Sequence, residues 1–157
     1  MSEKPTEQKK MPYNIREKQE KDAAYRKKIN SKLADKLEKG IYKMVVSKRN
    51  YRNPDYSAKV LAKDLSVNTR YLSAVINDRF GMNFSSLLNR YRVRDALKML
   101  ADERYARLNV SDISTMVGFA NRQSFYASFY RLVGMTPRIY KMRKLREATE
   151  EKEQTWE

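Results

Sequence analysis

An all-helical domain carrying two helix-turn-helix units joined by a long central helix is the fold class this sequence predicts, on three observations. One pattern of apolar and turn residues occurs twice, over about residues 57–81 and 110–134. Leu61, Ala62 and Leu65 recur as Ile113, Ser114 and Val117 at an offset of 52, whereas Leu72, Ala74, Ile76, Gly81 and Met82 recur as Phe125, Ala127, Phe129, Gly134 and Met135 at an offset of 53. The second turn is thus one residue longer, a change that loops between two copies of a unit tolerate well. Helix-starting residues precede each apolar period, and no segment alternates as a half-buried strand does.

The elements follow in order. Residues 1–26 are rich in Lys, Glu and Gln and hold two of the four prolines, so a mobile polar arm is expected. From Ser31, a candidate N-cap, apolar residues fall at Leu33, Leu37, Ile41, Met44 and Val45, the spacing of an amphipathic helix; Gly40 weakens it without ending it. Asn53-Pro54 interrupts the pattern, because the residue before proline is pushed away from helical angles. Ser57 can cap a short helix through Leu65, and Asn68 the next, from Thr69 to about Arg79, stopped by Gly81.

Asn83 can cap a central helix from Phe84 to about Glu103, with Leu87, Leu88, Tyr91, Ala96, Leu97 and Leu100 on one face. Its roughly 20 residues would span roughly 30 Å, enough to hold two modules a fixed distance apart. Either Asn109 or Ser111 starts a helix to Val117. The turn Gly118-Phe119-Ala120-Asn121 follows, Asn121 caps a helix from Arg122 to Val133, and Gly134 ends it. Pro137 opens a final helix through Tyr140 that points toward an acidic tail, residues 147–157.

Charge is concentrated on the repeats. The chain carries 34 Lys and Arg against 19 Asp and Glu, net +15; residues 27–146, the expected domain, hold 26 basic and 9 acidic side chains, while the tail is net −4. Such a surface suits a polyanionic partner. With no Cys and no His there is no thiolate, no imidazole base and no usual zinc site, so neither an enzyme nor a metal or cofactor is expected. There is no run of 18 apolar residues and no apolar stretch near Met1, so neither a membrane span nor a secretion signal is expected, and the cytoplasm is the default location.

In a helix-turn-helix the first helix braces the second, whose outward residues reach base edges. In the first unit Leu72, Val75 and Ile76 should face inward, leaving Thr69, Arg70, Ser73, Ala74 and Asn77 outward. In the second, Phe125, Phe129 and Leu132 should face inward, leaving Arg122, Gln123, Tyr126, Ala127 and Tyr130 outward. Arg suits guanine, Gln and Asn suit adenine, and the methyl of Thr or Ala suits that of thymine. Arg70 and Arg122 stand out because a cation at a helix N-terminus opposes the helix dipole, yet is well placed for DNA. Helix starts and nearby polar groups nominate Asn68, Asn83, Ser85, Asn121 and Arg138 as phosphate donors.

The run from Val110 through Phe119, then Ser124-Phe125, Phe129, Gly134-Met135-Thr136-Pro137 and Tyr140, resembles the signature of the AraC/XylS family of bacterial transcription regulators. The resemblance extends back through Tyr71-Leu72-Ser73, Gly81, Asn83-Phe84, Arg92, Ala96 and Leu100, covering about residues 30–143. It implies a seven-helix domain whose two recognition helices enter successive major grooves of double-stranded DNA, and activation of transcription through contact with RNA polymerase. The family's base-reading positions fall on Thr69, Arg70, Ser73 and Ala74 and on Arg122, Gln123, Tyr126 and Ala127. Ser114 stands where the family usually has Ala, and is small enough for the same packing. Many members add a ligand-binding or dimerisation domain; only the short arm precedes the repeats here, so small-molecule sensing in a dedicated pocket is not expected, and a protein partner would have the arm to bind. Two other readings stay open: a protein-interaction module that binds a regulator or polymerase subunit without reading bases, and a non-specific DNA or RNA binder.

Overall fold

The computed structural model describes Glu20 and residues 31–155; apart from Glu20, the arm expected over residues 1–26 lies outside the described residues. The chain divides into two units, Met1–Asp35 and Lys36–Glu157, and the packing that follows is that of the second. Among the described residues there are seven α-helices and no strand: α1 (Ser31–Tyr42), α2 (Ala58–Asp64), α3 (Thr69–Phe80), α4 (Phe84–Leu100), α5 (Val110–Val117), α6 (Arg122–Val133) and α7 (Pro137–Thr155). Ser31 is itself helical and not a cap. No helix among the described residues is long and apolar enough to cross a membrane.

Leu37, Ile41 and Val45 are buried as their spacing predicts, whereas Leu33 is exposed and Met44 only half-buried. Helix α1 runs straight through Gly40, where a Cβ would lie 2.9 Å from Leu65 Cδ2. Leu65 therefore occupies the space that a side chain at position 40 would fill, and the helix carries the glycine despite its low propensity. After α1 the chain widens into a π-helical turn, Lys43–Ser47, and passes Arg49 at φ 55 into a 3-10 turn, Asn50–Arg52. Asn53 is extended, φ −80 and ψ 117, as Pro54 requires.

Helices α2 and α3 form the first helix-turn-helix unit, α5 and α6 the second, and α4 joins them. The duplication reaches into the turns. Ser66 at φ 55 and Gly118 at φ 107, 52 residues apart, both take the left-handed conformation. In the next position Val67 N donates to Ala62 O at 2.9 Å and Phe119 N to Ser114 O at 3.0 Å. Asn68 and Asn121 then cap α3 and α6, so the extra residue of the second turn is Ala120, which is exposed.

Three boundaries and one core position refine the expectations. Helix α4 ends at Leu100 after 17 residues, a span of roughly 25 Å. Its expected last residues turn instead into a 3-10 segment, Glu103–Tyr105, because Asp102 accepts from the Arg104 backbone N–H at 2.9 Å and competes with helix continuation. Asn109 starts α5 through a capping box with Asp112, at 2.8 and 3.0 Å, and Ser111 lies inside the helix. Helix α7 continues to Thr155, so the acidic tail is helical up to that residue.

Leu132, expected inward, is 46% exposed, and Ser128 is buried in its stead. The last turn of α6 is covered by α7, whose Tyr140 meets Phe129 edge-on at 5.8 Å. That cover draws Val133 against the core and leaves Leu132 in solvent. The core of the second unit is aromatic: Phe125 contacts Phe119 at 5.1 Å and Phe129 at 5.6 Å between ring centroids, over Val93, Ile113 and Val117. Such tilted pairs add about 0.5 to 1.5 kcal/mol each beyond area burial.

Candidate nucleic-acid interface

Each recognition helix starts at an asparagine whose Oδ1 accepts a backbone N–H: Asn68 from Tyr71 at 2.7 Å, Asn121 from Ser124 at 2.8 Å. The same cap starts α4, where Asn83 accepts from Ser86 at 2.8 Å. Capping uses the carbonyl side of the amide, so the Nδ2 donors of all three are not engaged in the caps. Asn68, Asn83, Ser85, Asn121 and Arg138 are all exposed.

The inward faces anchor the outward ones. Leu72 and Ile76 on α3, and Phe125 and Phe129 on α6, are fully buried, which fixes the rotation of each helix about its axis. Thr69, Arg70, Ala74 and Asn77 consequently face solvent on α3, as do Arg122, Gln123 and Ala127 on α6, with Ser73 and Tyr126 half-buried. Tyr130 is 60% exposed. Asn77 turns its Nδ2 back to the Ser73 carbonyl at 2.9 Å, so a base edge would have to displace or share that donor. Arg122 lies over the Tyr126 ring, 4.9 Å from its centroid, and donates to the Tyr126 hydroxyl at 3.2 Å; that ring in turn meets Phe125 edge-on. The guanidinium is thereby held along the outer face of α6.

Between the two helix-turn-helix motifs runs an open cleft of about 650 Å³, with Ser73 of α3 on one side and Ser124 of α6 on the other. Asn83, Ser85 and Ser57 line it as well. The cleft thus gathers Ser73, Asn83 and Ser85 of the expected residues, while Asn68, Asn121 and Arg138 do not line it. Ser57, Asn89, Arg92 and Ser124 were not among the expected DNA-facing residues. Ser57 is legible only as a cap, which it is, accepting from Val60 N at 3.3 Å.

The cleft floor is held by a polar network. Arg92, 8% exposed, donates through Nε to the Tyr51 carbonyl at 2.6 Å, through Nη2 to the Asn53 carbonyl at 3.2 Å and through Nη1 to Asn89 Oδ1 at 3.1 Å. Burial pulls its pKa below the ordinary arginine value, and hydrogen bonding offsets the penalty for an enclosed cation. One turn along α4, Asp95 accepts from the Tyr51 hydroxyl at 3.0 Å and from Arg52 Nε at 2.7 Å. Burial, and after it the Asp95 charge, push the Tyr51 phenol pKa upward.

Two caps, two left-handed turns and two outward faces, on α3 and α6 with α4 between the units, define a double helix-turn-helix DNA-binding domain. A family model described as a helix-turn-helix domain matches residues 61–143. The chain belongs to this family, the AraC-type helix-turn-helix domains. It is 34% identical over 84 residues to the HTH-type transcriptional regulator YtdP of Bacillus subtilis, across 54% of this chain and 10% of that protein. It is 30% identical over 94 residues to the transcriptional regulatory protein YesN of the same organism, across 59% and 25%. The chain thus corresponds to a tenth and a quarter of these relatives. Among solved structures, the C-terminal domain of the two-component response regulator yesN from Fusobacterium nucleatum superposes with a TM-score of 0.54 at 26% identity, covering 60% of this chain and 88% of that one.

Proposed function

We propose that this protein is a sequence-specific regulator of transcription that binds double-stranded DNA by placing α3 and α6 in successive major grooves. The observation that carries the proposal is the paired presentation of Arg70 and Arg122, each exposed just beyond an asparagine cap on a helix whose opposite face is fully buried. Thr69, Arg70, Ser73, Ala74 and Asn77 read one half-site, and Arg122, Gln123, Tyr126 and Ala127 the other. The phosphodiester chain between the grooves lies along the cleft, against Asn83 and Ser85, with Asn68, Asn121 and Arg138 on flanking phosphates.

Activation through contact with RNA polymerase is proposed from the family resemblance, and a cytoplasmic location and a protein partner for the N-terminal arm are proposed alongside it. Both relatives in Bacillus subtilis are described as regulators, which favours regulation over catalysis. The test is selection of duplexes from a random pool at about 150 mM salt, repeated with Arg70→Ala and Arg122→Ala. A bipartite motif with half-sites about one turn apart, each half relaxed by only one substitution, is the expected result. A pool that stays random, or variants that select as the parent does, would leave charge-driven binding or a protein partner as the function.

A further inference from the structure

Arg92 touches both units at once. Its Nη2 holds the Asn53 carbonyl, which also accepts from Tyr56 N at 3.2 Å and so closes the turn leading to Ser57 and α2. On the other side its guanidinium carbon stands 5.6 Å from the centroid of Phe119, in the turn of the second unit, and Phe119 packs on Phe125 of α6. The Tyr51 carbonyl, a second acceptor of Arg92, lies where a Cβ on Gly118 would come within 2.3 Å. The lead-in to the first unit is therefore wedged between α4 and the turn of the second.

We propose that Arg92 is a positioning residue that sets the separation and angle of the two recognition helices, and through them the half-site spacing the protein accepts, without itself reading a base. This rests on the two-reader function proposed above. A guanidinium is suited to the task, because its planar fork fixes several acceptors in one geometry. An apolar side chain of similar length would fill the volume but leave two carbonyls without that donor.

Two measurements test it, one without DNA. The chain has no cysteine, so spin labels can be placed through Asp78→Cys on α3 and Arg131→Cys on α6, both exposed. A narrow distance distribution is expected in the parent, and a broadened or shifted one with Arg92→Met. In the second, bipartite duplexes differ by single base pairs in spacer length, each of which turns one half-site by roughly 35° relative to the other. The parent should lose about tenfold in affinity per base pair of misfit, and Arg92→Met less than about threefold, with single half-site affinity unchanged.

Asp95→Asn loosens the same segment through Tyr51 and Arg52 with Arg92 in place, and should give a milder form of both effects; it also serves if Arg92→Met does not fold. Sharp distances and sharp spacing preference in the folded variants would overturn the proposal. So would a loss of single half-site affinity with a shallower salt dependence, which would mark Arg92 as a phosphate contact. If the parent shows no spacing preference, the two-reader function fails first, and the spin-label distances still report whether Arg92 holds the helices.

Discussion

Gly118 lies directly against the Tyr51 carbonyl: a Cβ at position 118 would stand 2.3 Å from that oxygen and 2.7 Å from the Arg52 carbonyl. The residue also has φ 107. Two independent constraints therefore select glycine at this one position, and the close approach cannot relax without moving the segment that Arg92 and Asp95 hold.

Gly118→Ala should accordingly be among the more damaging single-methyl additions in the chain. Left-handed backbone alone costs about 1 to 2 kcal/mol for alanine, and the backbone clash adds to it. Gly134→Ala meets the same conformational penalty at φ 81 with nothing within 4 Å of the new Cβ. Urea melts should rank Gly118→Ala well below Gly134→Ala; equal losses would mean that the close approach is unimportant.

Stability should fall in alkali more steeply than exposed tyrosines would cause. Burial, chiefly, raises the pKa of Tyr51 and of Tyr56. Above pH about 10 the unfolded tyrosines ionise while the native ones keep their protons, so the native state binds more protons and stability declines as pH rises. That contribution is complete below pH about 10 and is lost as pH climbs through the folded values. Denaturant midpoints measured between pH 8 and 11 should show the decline, flattened in Tyr51→Phe; identical slopes in parent and variant would contradict it.

Tyr126 should matter to the second half-site through Arg122. Tyr126→Phe removes the 3.2 Å hydrogen bond but keeps the ring under the guanidinium, whereas Tyr126→Ala removes both. Cation–π contacts at exposed sites contribute about 0.5 to 1 kcal/mol. Affinity for a duplex bearing the second half-site should drop roughly two- to fivefold further for Ala than for Phe, as fluorescence anisotropy would measure. Equal affinities would show that Arg122 needs no support from the ring.

Leu132→Gln should be nearly neutral, within about 0.5 kcal/mol, as for most surface substitutions. Ser128→Leu, at the buried counterpart of Val75, should cost about 1 to 3 kcal/mol by overpacking. The reverse ranking in thermal melts would restore Leu132 to the core.

The architecture was legible because its determinants are local. Asn68, Asn83 and Asn121 announce helix starts, Gly81 and Gly134 announce ends, and a repeat that shifts from 52 to 53 residues locates an insertion in the second turn. The same repeat, followed strictly, carries Val75 to Ser128 and would have replaced Leu132; helix periodicity alone could not, because it does not know where α7 lies. The choice between Asn109 and Ser111 needed the geometry of Asp112. Among the outward residues, Thr69, Arg70 and Gln123 are exposed as their helix phase requires. The cleft and the Arg92–Asp95 network were invisible, since they join residues about 40 positions apart whose individual identities carry no periodic signal.

Helix α7 runs against its own dipole. Arg138 stands in its first turn, Lys141, Arg143, Lys144 and Arg146 follow, and Glu147, Glu150, Glu151 and Glu153 crowd its far half. The ordering is unfavourable for an isolated helix, so packing of Pro137 and Tyr140, with Lys141 donating to the Ala106 and Leu108 carbonyls, holds the near turns, and among the described residues the Lys152–Glu103 ion pair ties the far ones. Among the described residues, those outer turns are the place where the domain should begin to unravel, and where amide protons should exchange and proteases cut ahead of the rest, with both recognition helices left standing.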